Sequence, residues 1–346
     1  MPQPLADLRV VPPLLDRRRR QRRRTARGVL DSHAQRLELR PQLLVALPTA
    51  AGAWYCVYLA TGSSLPLAAG IIGALIVFCA LPFVGLGLGY TRWIHQLLVD
   101  TGDYYEHGAH TCWEFELSEA LPRGIWCYHP HGMFSWFMAA THLRHTLLFD
   151  KKWWPHIIPH QGLAVRLLCD SPLFRHFVVD TVRSTWPADR KGMLELFNRG
   201  EAIALIPGGF HEASITCRGT HRAFVLRKKG FVKLALRYGY ALYPSYVFGE
   251  ADTYYNVQGA TKLRVWLAEF NVPAIVPFGR GFFPPLPRRD LGLYHVVGKP
   301  IVLPKIEDPT AAQLDEYHAK YVQALRELFD RNKAHFGCAD AQLELM

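Results

Sequence analysis

The sequence predicts an α/β fold, a mixed and largely parallel sheet flanked by helices, preceded by a membrane helical hairpin. Three observations predict it. Short apolar runs alternate with amphipathic helical patterns between residues 92 and 346, the pattern of a layered sheet-and-helix domain. Two of those runs end in loops loaded with histidine, glycine and glutamate. No Lys, Arg, Asp or Glu occurs from Pro41 through Thr91, which is room for two membrane segments of about 20 residues each.

The 346 residues are half apolar and 20 % charged, which excludes a disordered chain, a collagen-like repeat and a small disulfide scaffold. Of the net charge of +11, most belongs to residues 1–42, with 11 Arg against 4 acids. That segment reads as a basic arm, expected to be disordered and cytosolic. Arg17–Arg20 and Arg22–Arg24 precede any apolar stretch, and Ser32 is the only serine in the arm, so neither a signal peptide nor a transit peptide fits. The seven cysteines are scattered without a C-x-x-C pair. This disfavours a zinc ribbon or a redox motif and fits a reducing compartment.

Residues 43–91 form the expected hairpin. Leu43–Ala60 and Leu65–Tyr90 are joined by Thr61-Gly62-Ser63-Ser64. The segments either both span or enter as a re-entrant pair. Both geometries place the arm and residues 92–346 on one side, and the positive-inside rule makes that side the cytosol. No aromatic is interleaved with the arginines, so nucleic acid is not an expected partner. Attraction to anionic lipid headgroups, about 1 kcal/mol per basic residue near the surface, is the simpler account of the arm.

In the body, strands are expected at Ile125–Tyr128, Ile203–Ile206, Ala241–Val247, Val272–Phe278 and His295–Val297. Helices are expected over 189–199, ending at Gly200, and over 227–238, ending at Gly239. A third runs over about 311–335, opened by a Thr310/Gln313 capping box and closed by Gly337. Its stripe is Leu314, Tyr317, Tyr321, Leu325 and Leu328.

Open α/β sheets carry their sites in loops at the carboxyl ends of strands. His129-Pro130-His131-Gly132 follows the first strand, and Pro207-Gly208-Gly209-Phe210-His211-Glu212 follows the second. Pro130 holds His129 extended. Gly132 clears space for a helix from Met133 to about Leu147, whose positive N-terminus would disfavour imidazolium at His131. A neutral imidazole is what a general base needs. Glu212 would fix its tautomer and offset the charge it gains. The bland alternatives are a structural His-x-His and a plain Gly-Gly turn. No sequence completes a metal set, so no metal is expected. There is no G-x-S-x-G elbow, Walker loop or dinucleotide fingerprint.

These two loops, together with four later blocks, give the chain its resemblance to the type-2 diacylglycerol acyltransferases, a family that also holds monoacylglycerol acyltransferases and wax-ester synthases. Tyr128-His129-Pro130-His131-Gly132 resembles the family's signature, and Pro207-Gly208-Gly209 with Glu212 its second block. Arg227 through Ala235, leading by Pro244 to Phe248-Gly249-Glu250, resembles the third. Gly279-Arg280-Gly281-Phe282-Phe283, Val297-Gly298-Lys299-Pro300-Ile301, and Tyr317-His318 through Phe329-Asp330 complete the order. Phe210-His211 stands where the family usually has small residues.

The resemblance implies a glycerolipid-acyltransferase-like fold and an acyl-CoA-dependent O-acyltransferase making triacylglycerol from diacylglycerol. Monoacylglycerol or a fatty alcohol is the alternative acceptor. It implies acyl-CoA as co-substrate with no further cofactor, membrane lipids as partners, and the endoplasmic reticulum membrane or lipid droplet as location. A homo-oligomer stays open. Catalytic candidates are His131, Glu212 and His129. His131 ranks above His129 because plant members often lack the first histidine of the signature but keep the second. Substrate-binding candidates are Pro130, Gly132, Gly208 and Gly209, with Arg227, Lys229, Lys233 and Arg280 for the coenzyme A phosphates. The competing classes are a membrane-anchored thioesterase or lipase and a non-enzymatic lipid scaffold.

Overall fold

The computed structural model describes residues 9–10, 104–116, 119–138, 160–164, 169, 185–256, 258–270, 275, 277–279 and 287–346. The expected hairpin at 43–91, Arg280 and all of the arm except 9–10 lie outside them. Among the described residues no helix is long and apolar enough to cross a membrane.

In chain order the elements are β1 (Arg9–Val10), β2 (Ala109–Trp113), β3 (Gly124–Cys127), β4 (His160–Ala164), β5 (Thr185–Pro187) and α1 (Arg190–Arg199). Next come β6 (Ala202–Leu205), α2 (Gly209–Ile215), β7 (His221–Ala223), α3 (Gly230–Tyr238) and β8 (Ala241–Phe248). The chain continues through β9 (Tyr255–Asn256), α4 (Thr261–Glu269), β10 (Pro277–Phe278), β11 (Leu293–Val297), α5 (Ala311–Asn332) and β12 (Leu343–Leu345). Eight strands form one sheet in the order β1-β2-β11-β8-β3-β6-β4-β5. Five of its seven pairings are parallel; β1–β2 and β11–β8 are antiparallel. The expected mixed, largely parallel sheet is present.

The centre of the sheet follows from its residues. β3, β6 and β8 are buried at every position, as continuous apolar strands covered on both faces are. Side chains alternate between faces. Ile125 and Cys127 of β3 join Leu205, Leu242 and Tyr246 with α3 and α5, whereas Trp126 and Tyr128 join Tyr243 and Val247 on the other face. There Trp126 stacks on Tyr243 with centroids 4.2 Å apart.

Helix ends obey their caps. Asp189 accepts from Gly192 N–H at 2.8 Å to open α1, and Gly200 closes it at φ 73°. The Thr310/Gln313 capping box opens α5, which passes into a 3₁₀ turn at Lys333–Phe336 before Gly337 at φ 75°.

Three expectations are corrected. The helix expected over 227–238 begins only at Gly230; the Lys228 N–H closes a turn on Val225 O at 2.9 Å first. The helix expected from Met133 begins at Trp136, because Gly132 and Ser135 take φ of 60° and 51° and break helical geometry. Of the expected strand Val272–Phe278, Pro277–Phe278 pairs with β9 in a separate ribbon instead of entering the main sheet. Proline, lacking an N–H, suits such an edge.

Candidate active site

β8, β3 and β6 are consecutive parallel neighbours, so their carboxyl ends share one edge of the sheet, where such folds place sites. β3 runs into His129-Pro130-His131-Gly132. β6 runs through Pro207-Gly208 into α2, which carries Glu212. β8 runs into Gly249-Glu250. The first two loops are the pair expected from the sequence; the third adds a carboxylate that the sequence did not single out.

Glu212 is the hub. It is wholly buried, and its carboxylate collects donors from three directions. His131 N–H donates to Oε1 at 2.8 Å, Phe224 N–H to Oε2 at 3.1 Å, and His129 Nδ1 lies 3.1 Å from both oxygens. A side chain at Gly208 would run into that of Glu212, so glycine there makes room for the carboxylate. Gly209, at φ 50°, spends its N–H on Ile206 O at 3.1 Å.

The two histidines of the signature occupy different environments. His129 is wholly buried; with Nδ1–H on the carboxylate, its Nε2 accepts from Tyr321 O–H of α5 at 3.0 Å. Both ring nitrogens are therefore engaged inside the core. Pro130, also buried, follows His129 through a cis peptide bond. His131 is half-buried, and its Nδ1 lies 3.1 Å from Gly132 O and 3.2 Å from Ser135 Oγ. With Nδ1–H donating to that carbonyl, Nε2 keeps the lone pair. Burial lowers the His131 pKa from its ordinary 6.5, against the charge of Glu212, which raises it. The carboxylate grips the main chain of His131 and the ring of His129. Contrary to the expectation from the sequence, it does not touch the His131 ring.

Part of the basic run is already engaged by neighbouring groups. Lys229 pairs with Asp315 at 2.5 Å, Arg237 donates to Glu307 O at 2.8 Å, and Lys228 reaches His211 Nδ1 at 3.2 Å. Arg227 and Lys233 are exposed. Among the described residues no group of three or more His, Cys, Asp or Glu is placed to hold a metal ion.

Three residues here escaped sequence reasoning. Tyr321 stood out only as a stripe residue of its helix, and Ser135 carried no signal beyond its spacing from His131. Glu250 closes the third block, where a carboxylate ending a buried strand is itself a signal.

Comparison with known proteins gives the family. The family model for diacylglycerol acyltransferase matches residues 103–346. The chain belongs to the diacylglycerol acyltransferase family. Within that family it is 34 % identical over 236 residues to diacylglycerol O-acyltransferase 2 of Dictyostelium discoideum, covering 63 % of this chain and 68 % of that one. It is 30 % identical over 230 residues to mouse acyl-CoA wax alcohol acyltransferase 2, covering 62 % and 67 %. To the bovine diacylglycerol O-acyltransferase 2 it is 31 % identical over 232 residues, covering 63 % of each chain. The expectation of an acyltransferase-family enzyme holds.

Proposed function

We propose that this chain transfers the acyl group of an acyl-CoA to the free hydroxyl of diacylglycerol, forming triacylglycerol, with monoacylglycerol or a fatty alcohol as the alternative acceptor. The observation that carries the reading is the firmly held, half-buried His131 ring. Its Nδ1 is held by Gly132 O, and its backbone is fixed by a buried carboxylate. In this reading His131 Nε2 takes the acceptor proton as the hydroxyl oxygen attacks the thioester carbonyl. The tetrahedral intermediate collapses with loss of the coenzyme A thiolate, which takes that proton back from the imidazolium. Burial favours the neutral base before the step, and the field of Glu212 favours the cation during it.

Ser135 Oγ, 3.4 Å from His131 Nε2, supports a second reading through an acyl-serine. Its O–H, however, is directed at His131 O at 3.1 Å, and a thioester is already activated for direct attack. Direct transfer is the reading preferred.

The body works at a membrane in this proposal, held by residues 43–91 at the endoplasmic reticulum or a lipid droplet. Membranes holding the protein, given radiolabelled acyl-CoA and each acceptor in turn, should yield labelled triacylglycerol from diacylglycerol; labelled diacylglycerol from monoacylglycerol, or wax ester from a fatty alcohol, would select the alternative acceptor. Labelled free fatty acid alone would replace acyl transfer by hydrolysis.

Contact of Lys229 and Lys233 with the coenzyme A phosphates belongs to the same proposal. Neutralising both should raise KM for acyl-CoA about tenfold with kcat unchanged, as loss of charge-assisted hydrogen bonds requires. An unchanged KM with weaker membrane adhesion would assign them to lipid headgroups.

A further inference from the structure

We infer that Glu250 is a positioning residue for His131: its carboxylate anchors the chain beyond His131, as Glu212 anchors it before, so that the imidazole is held between two fixed points. The inference rests on the acyl-transfer role given to His131. Glu250 is 1 % exposed. Trp136 N–H donates to its Oε1 at 2.9 Å and Phe137 N–H to its Oε2 at 3.1 Å, so it satisfies the orphan amides that open the helix there. A Cβ on Gly132 would come within 2.8 Å of Oε1 and Cγ. The carboxylate therefore touches the residue next to His131 as well as the helix after it.

Glu250 is itself fixed. Gly249 takes φ 90° where a side chain would collide with Gly292 O, and Thr253 O–H donates to Glu250 O at 2.7 Å. Between the two anchors, the span contains the only two described residues of the loop with positive φ, Gly132 and Ser135. Those conformations direct Ser135 O–H to His131 O and Gly132 O to His131 Nδ1. A non-glycine residue at positive φ persists where its surroundings over-determine it, and Glu250 supplies that determination.

The charge state matters, because a carboxylate accepts from both amides while the acid form turns one oxygen into a donor. Burial pushes the Glu250 carboxyl up to about 7. The titratable groups facing it among the described residues are Tyr105, from the segment before β2, and Tyr254, on its own turn, with Tyr104 behind them. Burial holds the Tyr105 and Tyr254 hydroxyls neutral through this range. Acidification through about pH 7 should thus release one anchor of the His131 loop.

The test is Glu250→Gln in the full chain in membranes, which keeps the shape but turns an amide NH₂ toward a backbone N–H. At pH 8, kcat per folded enzyme should fall about tenfold, the loss of one charge-assisted anchor, with KM for acyl-CoA unchanged. The wild-type decline of kcat through about pH 7 should vanish, leaving the His131 limb at lower pH. Independently of activity, carbethoxylation of His131 by diethyl pyrocarbonate should speed up severalfold relative to the exposed His107 and His335, read by mass spectrometry. An unchanged pH profile and modification ratio would overturn the inference, even if the yield of protein dropped. Should the wild-type protein acylate no lipid, the acyl-transfer reading falls on that result, and the modification ratio alone decides for or against the clamp.

Discussion

Replacing His131 with alanine should lower kcat by about 10²–10⁴-fold, the usual contribution of a general base, with protein level and membrane association retained. His131 is half-buried and its main-chain N–H survives the change, so the bond to Glu212 and the fold around it remain. His129→Ala should behave differently. That ring lies in the core between Glu212 and Tyr321, and its removal leaves two buried polar groups without their partner, at about 1–3 kcal/mol each. The loss should appear first in thermal stability and only secondarily in kcat. A His129→Ala enzyme that is stable but inactive, beside an active His131→Ala enzyme, would reverse the roles.

Glu212→Gln should produce the second-largest effect, between those two in kcat and larger than His131→Ala in stability. The carboxylate offers two acceptor oxygens to His131 N–H, Phe224 N–H and the His129 ring. Glutamine keeps one oxygen and turns an NH₂ toward donors, leaving at least one buried amide unpaired at about 1–3 kcal/mol. It also removes the field that favours the imidazolium. Calorimetry and single-turnover rates on the same preparation separate the two parts. An undiminished rate in a destabilised protein would confine Glu212 to structure.

The pH signs depend on the direction of each shift. Because burial lowers the His131 pKa, the acid limb that belongs to the base lies below 6.5, and activity is lost as pH falls through it. Glu250 acts oppositely on stability. Its carboxyl is raised from 4.5 to about 7, so its favourable contribution is full below 4.5 and is lost as pH rises through 7. Ionised Glu250 thus costs the fold while it orders the loop.

Much of this site is legible in the residues alone, for a physical reason. Apolar runs closed by His-Pro-His-Gly and Pro-Gly-Gly report strands and their ends directly, since burial and backbone freedom are properties of residue type. The bond from His131 N–H to Glu212 is not legible, because every residue but proline carries an N–H and sequence does not show which one is aimed. Nor is the burial of His129, which depends on Tyr321, 192 positions away. The late start of the helix at Trp136 hides behind Ser135, a residue that seldom takes positive φ. α2, of seven residues, is too short to show a clear period. The basic run has the right helical spacing, yet several of its charges are already turned to Asp315, Glu307 and His211.

The central claim, that His131 activates the acceptor for direct attack on the thioester, is tested most directly by rapid-quench mass spectrometry of the intact protein. Acyl-CoA alone should leave the mass of the chain unchanged. Adding acceptor should release acylated lipid in a single phase, slowed in His131→Ala by the same factor as kcat. An acyl adduct on Ser135 that forms and decays in step with product, or a His131→Ala enzyme with an unaltered chemical step, would contradict it.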